Sequence, residues 1–372
     1  MKTADLIVAA GERSADLRYA TGFSTSDAYI YIGLPERRMM IVSKLEFDRA
    51  RKERKTDVEV RLDGDFTDDE RPTLARIAIG AAQKLGIAAF RVPADFPLGI
   101  ADQLRAAGVT VTPEAGIFFP EREFKTPDEV TLVTDALRLA ESAVEHAREI
   151  IGACSVGHDG TLVLDGEVFT SERLRREIDL VLAEGGAMPT GTIAAAGVHA
   201  ACPHDRGAGP IHAGEPIVMD VFPRMLATGY WGDLTRTVVK GKAPEIVKRA
   251  FAAVVRARDE AEAALRPGVI PADIHRAAEA TLTAAGFPTG EGEDKSQHGF
   301  FHGLGHGVGL EIHEKPSLNT RGDKPLRGGE IITVEPGLYY PEWGGIRMED
   351  MVYITSSGAE RLTKISDDFE IA

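Results

Sequence analysis

One acid-bearing pattern occurs twice in the chain, and it constrains the fold more than any other feature. Gly214-Glu-Pro-Ile-Val-Met-Asp220 returns as Gly329-Glu-Ile-Ile-Thr-Val-Glu335, so an acid follows a glycine by six residues in both apolar, strand-forming runs. A further acid lies downstream of each copy, Asp233 after the first and Glu349 after the second. The sequence therefore predicts two β-hairpins, each carrying two carboxylates.

Four carboxylates set in apolar strands predict a bound cation. Asp220 and Asp233 would lie on one face of the first hairpin, with the turn-forming segment 223–229 between them. Like charges held that close repel one another and lose hydration. Either aspartate alone is more typical of an exposed edge strand, but the second copy, with Glu335 and Glu349, favours a metal site.

Length and composition indicate a globular protein with room for two domains, since 43% of its 372 residues are hydrophobic and 27% are charged. The net charge of −15 argues against a nucleic acid or an anionic membrane as partner. Cys154 and Cys202 are too few for a disulfide framework or a cysteine-based zinc site, although one disulfide between them stays open. The start of the chain lacks the apolar core of a signal peptide, and no stretch approaches about 18 apolar residues. We therefore expect a soluble, cytoplasmic protein.

Residues 1–122 are predicted to form a small α/β domain, because short apolar runs alternate there with helical patterns. The runs 28–33 and 39–42 predict paired strands, and the spacing from Asp68 to Leu85 predicts a helix. A polar segment ends at Thr126, which is placed to cap the next helix. The domain boundary is therefore expected near residue 122.

The rest of the chain repeats one order of elements. Helices from Pro127 to Ile151 and from Ser171 to Glu184 precede a strand-like run, 191–201, and the first hairpin. Helices from Ala243 to Leu265 and from Pro271 to Ala285 precede the second hairpin. This repetition predicts a pseudo-symmetric domain with the site between its halves.

A histidine-rich and glycine-rich segment, residues 300–314, precedes the second hairpin. Every second residue from 303 to 309 is glycine, which predicts close approach of another backbone. The segment has neither a dinucleotide-binding pattern nor a zincin pattern. It contains His302, His306 and His313, and the residues alone leave open which of them binds metal. A single histidine is more typical of a hydrogen-bonded core position, but the four carboxylates favour at least one imidazole ligand.

Five motifs, taken in order, resemble those of the pita-bread metallopeptidases and most closely those of the Xaa-Pro peptidases, meaning prolidases and aminopeptidases P. The motifs are Asp220, Gly232–Thr237, His302–His306, Val334–Gly337 and Gly345–Asp350. The resemblance covers residues 125–365 strongly and extends weakly to Ala15–Phe23. It implies an α/β (α+β) chain with a small creatinase-like N-terminal domain, 1–122, and a pseudo-two-fold pita-bread catalytic domain, 123–372.

The resemblance also implies the roles of individual residues. Two divalent cations would have five ligands, namely Asp220, Asp233, His306, Glu335 and Glu349. Asp220 would bind one metal, His306 and Glu335 the other, and the remaining two acids would bridge them. The residues implied to act on the substrate or to support the ligands are His204, His302, His313, Glu335, Arg347 and Tyr339. The two aspartates lie two residues further apart than is usual in the family, and we expect the turn at 224–228 to absorb the difference.

The activity implied is hydrolysis of Xaa-Pro bonds, at peptide N-termini or in dipeptides, by a hydroxide that bridges the two metals. The donor set suits Mn²⁺, which we expect, as well as Co²⁺, Zn²⁺ or Fe²⁺. The expected partners are peptides with proline at the second position and a second copy of the chain. Whether the enzyme is a dipeptidase or an aminopeptidase stays open.

Three other classes compete with this interpretation. The first is another hydrolase of the same fold, either a methionine-type aminopeptidase, which the N-terminal domain disfavours, or a metal-free creatinase-like enzyme, which the intact ligand set disfavours. The second is a non-catalytic peptide-binding or protein-binding module of the same fold. The third is a cysteine hydrolase built on Cys202 and His204, although Cys202 is more typical of a buried structural residue.

Overall fold

The computed structural model describes residues 2–292 and 295–372. The chain divides into two compact units, Met1–Arg122 and Glu123–Ala372.

The first unit is built on a six-stranded mixed sheet. Its strands are β1 (Lys2–Ala10), β2 (Ala28–Leu34), β3 (Arg37–Val42), β4 (Val58–Leu62), β5 (Ile87–Val92) and β6 (Thr110–Pro113). Its helices are α1 (Ala15–Thr21), α2 (Phe47–Glu53), α3 (Leu74–Leu85) and α4 (Leu98–Ala106). The strand order is β4-β3-β2-β1-β5-β6, in which β1 pairs antiparallel with β2 and parallel with β5. The predicted pairing of the runs 28–33 and 39–42 is confirmed as β2 against β3.

The helix predicted from Asp68 begins later, at Leu74. Thr73 caps it by accepting a 3.3 Å hydrogen bond from the backbone N–H of Arg76. Pro72 precedes this cap and disfavours a helical conformation at the residue before it, so the chain cannot enter the helix as early as Asp68. The prediction of the helix is confirmed, and its start is wrong.

Among its described residues, the second unit contains four α-helices and many short strands. The helices are α5 (Pro127–Ala153), α6 (Ser171–Glu184), α7 (Glu245–Ala264) and α8 (Pro271–Ala284). The strands of its first half are β7 (Ser155–Val156), β8 (Leu162–Leu164), β9 (Glu167–Val168), β10 (Ala187–Met188), β11 (Ile193–Ala196), β12 (Pro216–Val221), β13 (Arg224–Met225) and β14 (Leu234–Lys240). The strands that follow are β15 (Gly290–Glu291), β16 (Gln297–His298), β17 (Gly305–Gly307), β18 (Glu314–Leu318), β19 (Ile331–Val334), β20 (Gly337–Tyr340), β21 (Gly344–Arg347), β22 (Asp350–Ile354), β23 (Ala359–Arg361) and β24 (Glu370–Ile371).

The predicted repetition of elements is present in this unit. A helix pair, α5 and α6, packs beside a sheet of order β11-β12-β14-β24, and a second pair, α7 and α8, packs beside a sheet of order β18-β17-β19-β22-β23. Each sheet contains one of the two acid-bearing ribbons, β12 with β14 and β19 with β22, and both pairs are antiparallel. The apolar faces of α7 and α8 pack into the core beneath the second sheet.

The start of α5 shows how closely local sequence sets local structure. Thr126 accepts a hydrogen bond from the backbone N–H of Glu129 at 3.3 Å, and the Glu129 carboxylate accepts one from the Thr126 N–H at 2.9 Å. This capping box satisfies two backbone groups that would otherwise lack partners at the helix start. The predicted cap is therefore confirmed.

The strand-like run 191–201 is only partly a strand. It forms β11 and then a 3₁₀ helix, Gly197–Ala201, which begins at a positive φ of 55°. Gly344 and Gly345 pack against the carbonyls of Gly197 and Ala200 so closely that an added Cβ would lie 2.4 Å and 2.0 Å away. The antiparallel pair β20 and β21, here called the nested ribbon, therefore packs directly against this turn.

Both cysteines are free. Cys154 is buried, but Cys202 is exposed, and the expectation that Cys202 is a buried structural residue is wrong. It follows the 3₁₀ helix in an irregular segment, which leaves its side chain at the surface. Within the described residues, no helix has both the length and the apolar composition needed to cross a membrane.

Candidate metal centre

The first ribbon places its two aspartates on one face. Asp220, near the end of β12, pairs with Thr235 of β14, and Asp233 lies two residues before Thr235. Because side chains alternate along a strand, Asp220, Asp233 and Thr235 point to the same side of the sheet. The segment between the strands contains β13, which bridges to Trp231 at Arg224, and it turns back at Gly229 with φ 79°.

The second ribbon supplies its acids in a different way. Val334 pairs with Asp350 at the end of the ribbon. Glu335 directly follows Val334, and Glu349 directly precedes Asp350, so both acids lie just beyond this last pair. The connection between the two acids forms a ribbon of β20 and β21 paired over four positions, whereas the connection in the first ribbon holds the shorter β13 and one bridge, from Arg224 to Trp231. The two predicted acid-bearing hairpins are therefore present, and the nested ribbon of the second carries Arg347.

His306 lies on β17, between β18 and β19, and its glycine neighbours allow the close packing predicted from the sequence. A Cβ on Gly305 would lie 2.0 Å from the Thr333 carbonyl oxygen, and one on Gly307 would lie 2.2 Å from that of Lys315. The backbone N–H of His306 donates to the Thr333 hydroxyl at 3.1 Å. The glycines thus let β17 sit deep enough for the His306 ring to reach the acids.

The His306 ring presents an unprotonated nitrogen to these acids. Its Nδ1 lies 3.1 Å from the Gly307 carbonyl oxygen, which can only accept, so Nδ1 carries the proton. Nε2 then faces Asp233 Oδ2 at 3.6 Å and Glu335 Oε1 at 3.4 Å. Burial lowers the pKa of His306 to about 4, and the neighbouring His313 contributes to the shift.

The carboxylates themselves are strongly perturbed. Burial, followed by the charge of Glu349, raises the pKa of Asp233 well above its ordinary value. Burial and the charge of Glu335 do the same for Glu349, and burial raises the pKa of Glu335 to about 8. The protein without a bound cation would therefore have to protonate acids that normally ionise near pH 4.

This donor set fits a metal ion. One ligand atom from each of Asp233, His306 and Glu349 lies within 4.8 Å of the other two. Carboxylate oxygens with one neutral imidazole suit a divalent transition metal or Mn²⁺. Such a cation would relieve the repulsion that raises the pKa values and would engage the free lone pair of His306.

Arg347 connects the acids to a second histidine. Its Nη2 donates to Asp220 Oδ2 at 2.6 Å, and its Nη1 donates to the Tyr339 hydroxyl at 2.9 Å. The Tyr339 oxygen lies 2.9 Å from His302 Nε2, while His302 Nδ1 lies 2.7 Å from the Gly303 carbonyl. Nδ1 must therefore be the protonated nitrogen, and Tyr339 donates to Nε2. Burial lowers the pKa of His302 to about 3 and raises that of Tyr339 to about 12.

His313 and His204, the other two histidines singled out in the sequence, lie at the exposed side of the site. The ring of His313 stands perpendicular to that of His306, with 4.3 Å between the centroids. His204 is exposed, and its charge contributes to lowering the pKa of both His302 and His313. The carbonyl of its neighbour Pro203 accepts a 3.3 Å hydrogen bond from Arg347. These contacts place His313 beside His306, and His204 beside Arg347 through its neighbour Pro203.

Two supporting residues were missed in the sequence. The Thr235 hydroxyl donates to Glu349 Oε2 at 2.8 Å and accepts from Arg347 Nε at 3.3 Å. Its position two residues after Asp233, on the same strand face, was a usable signal. The backbone N–H of Asp233 donates to the Met351 sulfur at 3.3 Å, and no local pattern in the sequence indicates this contact.

The duplicated sheet and helix-pair fold gathers buried carboxylates around one neutral imidazole, which is the donor set of a metal site. This chain belongs to metallopeptidase family M24, whose sequence pattern matches residues 131–356. It is 31% identical to an Xaa-Pro dipeptidase of Pyrococcus horikoshii over 285 residues, which cover 75% of this chain and 74% of that protein. The predicted family and enzyme class are confirmed.

Solved structures share the whole fold. The prolidase from Pyrococcus furiosus superposes with a TM-score of 0.79 at 25% identity, covering 98% of this chain and 96% of that one. The X-Pro aminopeptidase from Thermotoga maritima superposes with a TM-score of 0.83 at 24% identity, covering 100% and 98%. The predicted α/β pita-bread fold is confirmed.

Proposed function

We propose that this enzyme hydrolyses Xaa-Pro peptide bonds with two divalent metal ions bound by Asp220, Asp233, His306, Glu335 and Glu349. The observation that carries the proposal is the unprotonated Nε2 of His306, which faces two buried carboxylates at 3.6 Å and 3.4 Å. The relatives named above as an Xaa-Pro dipeptidase and a prolidase support the proline specificity.

The metal ions, when bound, supply a Lewis acid and bring the pKa of a bound water toward neutrality. The protein provides the remaining groups. Glu335 can take the proton of the attacking water on its carboxylate and pass it to the nitrogen of the departing proline. His313 and His204, at the exposed side of the site, can donate hydrogen bonds to the oxygen of the scissile carbonyl.

Arg347 and Tyr339 keep this machinery oriented. The guanidinium fixes one oxygen of Asp220, and the phenol fixes the tautomer of His302. An Xaa-Pro bond has no N–H, so a hydrolase that depends on that donor cannot recognise it. Attack on the carbonyl with proton delivery to the ring nitrogen makes no use of an N–H, which is compatible with a proline substrate.

The proposal extends to the metal, the cellular compartment and the oligomeric state. An oxygen-rich donor set with one imidazole supports Mn²⁺ as the working metal, with Co²⁺, Zn²⁺ or Fe²⁺ as substitutes. Two free cysteines, one of them exposed, are compatible with a reducing compartment such as the cytoplasm. A homodimer is proposed from the family resemblance, and sedimentation of the purified chain tests it.

The test is a cleavage assay with Mn²⁺ that compares Xaa-Pro dipeptides, Xaa-Pro-Yaa tripeptides and the matching Xaa-Ala peptides. We expect cleavage of the proline peptides, and the ratio of dipeptide to tripeptide turnover decides between a dipeptidase and an aminopeptidase. Glu335→Ala should abolish turnover while the circular dichroism spectrum stays unchanged. Preferential cleavage of Met-Ala peptides, or wild-type activity of Glu335→Ala, would refute the proposal.

A further inference from the structure

The loop that carries His313 has no regular secondary structure. It spans residues 308–313 and joins β17, which bears His306, to β18. An irregular hairpin tip moves easily unless other groups hold its backbone. The perpendicular packing of His313 on His306, with 4.3 Å between centroids, therefore needs an external support.

One side of the loop is held by Trp231. Its backbone N–H donates to the Gly309 carbonyl at 2.9 Å, and its indole Nε1 donates to the Leu310 carbonyl at 3.1 Å. These two bonds fix carbonyl groups at the start of the loop. They leave the N–H groups of Leu310 and Glu311 to another partner.

That partner is Glu314. Its Oε1 accepts hydrogen bonds from the backbone N–H groups of Leu310 at 3.0 Å and Glu311 at 3.1 Å. A Cβ on Gly309 would lie 2.5 Å from the Glu314 carboxylate, so glycine at this position leaves room for the carboxylate to reach the loop. Glu314 directly follows His313 in the chain, so its carboxylate links the end of the loop to the backbone at the middle of the loop.

Lys125, near the start of the second unit, binds the Glu314 carboxylate. Its Nζ lies 3.0 Å from Glu314 Oε2, and the two side chains are only 2% and 6% exposed. The Lys125 backbone is fixed in turn, because its N–H donates to the Gly329 carbonyl at 2.7 Å. Breaking a buried ion pair of this kind is costly, since removing either partner leaves an uncompensated charge.

We propose that Glu314 and Lys125 are positioning residues for His313. The ammonium holds one carboxylate oxygen, so the other oxygen stays directed at the two loop N–H groups and the loop keeps His313 against His306. The proposal rests on the proposed function in one respect, namely that His313 acts on the substrate. Loss of the carboxylate would release the loop and misplace the imidazole without removing any metal ligand.

The experiment uses Trp231 as a reporter of the loop. The chain has two tryptophans, so Trp343→Phe leaves Trp231 as the single fluorophore. Two double variants are compared in that background, Lys125→Met with Glu314→Gln and Lys125→Met with Glu314→Leu. Both remove the buried charges, but only glutamine keeps an oxygen that accepts from Leu310 and Glu311.

We expect the glutamine pair to match the parent in Trp231 emission and to retain kcat within about threefold. The leucine pair should show red-shifted emission and greater quenching by acrylamide, and its kcat on an Xaa-Pro peptide should fall about 10- to 100-fold with a much smaller change in KM. Its metal content should stay at the parent level. Identical behaviour of the two pairs would overturn the proposal.

Hydrogen exchange on the unaltered protein provides a measurement that depends on no variant. The amides of Leu310 and Glu311 should exchange slowly, and exchange at the rate of an unprotected loop would overturn the proposal. A parent enzyme that cleaves no Xaa-Pro peptide would refute the proposed function instead. The fluorescence and exchange results would still decide whether Glu314 holds the loop.

Discussion

The Arg347 guanidinium donates a 2.6 Å hydrogen bond to the Asp220 carboxylate, although the two residues come from opposite halves of the repeated domain. Both side chains are largely buried, with 5% and 14% of their surface exposed. Asp220 thus has a fixed cationic partner on one side and the other acids on the other side. The protein supplies part of the compensating charge itself, and the remainder must come from bound cations.

Metal removal should expose the repulsion among the acids as a loss of stability. We expect chelation to lower the melting temperature of the wild-type protein. In the stripped protein, Asp233→Asn should raise the unfolding free energy by about 1–3 kcal/mol, and the melting temperature with it. The same variant should bind metal more weakly. Scanning calorimetry with and without chelator measures both effects.

Asp273→Asn is the matched control for this experiment, because that side chain is 62% exposed. It should change neither the stripped nor the loaded melting temperature by a measurable amount. A lower melting temperature of stripped Asp233→Asn than of the stripped wild type would contradict the repulsion argument.

Tyr339→Phe tests whether the Tyr339 hydroxyl contributes to stability and to activity. The variant removes one of the acceptors of Arg347 and the hydroxyl that donates to the Nε2 of His302, so we expect a loss of about 1–3 kcal/mol in stability and about tenfold in kcat/KM. Tyr340→Phe is the control, since its hydroxyl donates to Pro288 in an exposed position. Equal effects of the two substitutions on kcat/KM would show that the hydroxyl of Tyr339 has no specific role.

Gly305→Ala tests the close packing of β17. The new methyl group would lie 2.0 Å from the Thr333 carbonyl oxygen, and the strand must shift to accommodate it. We expect a loss of about 3 kcal/mol or more in stability, together with weaker metal binding through the displaced His306. Gly303→Ala is the control, because its nearest neighbours would be 3.5 Å away. Tolerance of alanine at both positions would rule out a packing role for the glycine.

Glu330 should give the unfolding free energy a dependence on pH. Burial raises its pKa from 4.5 to about 7, with Glu123 adding to the shift and the Arg327 N–H, Lys125 and the Arg327 side chain opposing it. The folded state therefore holds this proton more tightly than the unfolded state does. Stability from this group is fully present below about pH 4.5 and is lost as the pH rises through about 7, by about 3 kcal/mol in total.

Glu330→Gln should reduce this slope, because an amide does not titrate and its oxygen can still accept the 2.8 Å bond from the Arg327 N–H. Denaturant unfolding between pH 4.5 and pH 8 measures the difference from the wild type. Glu360→Gln, at an exposed position, should leave the slope unchanged. A wild-type slope in Glu330→Gln would show that other groups cause the pH dependence.

Much of the architecture could be predicted because it is written in short segments of sequence. The capping box of α5, the apolar runs of β12 and β19 and the glycines around His306 each involve residues that are close in the chain. The duplicated spacing of the acids then indicated that the two ribbons belong together. A single copy could not have distinguished a metal site from an exposed edge strand.

The parts that could not be predicted depend on contacts between distant segments. The nested ribbon of β20 and β21 packs against the 3₁₀ helix at Gly197–Ala201, which lies far from it in the chain. The contact of the Asp233 N–H with the Met351 sulfur, and the pairing of Lys125 with Glu314, likewise join residues more than a hundred positions apart. The sequence around either residue of such a contact does not indicate which distant residue it will contact.

The nested ribbon has a consequence for how the site fills. Both halves of the domain contribute two acids, but only the second contributes a guanidinium, so the formal charge of the cluster is negative by three. One divalent ion would leave it anionic, and a second would make it cationic. Successive ions should therefore enter with unequal affinity, the first tightly and the second weakly.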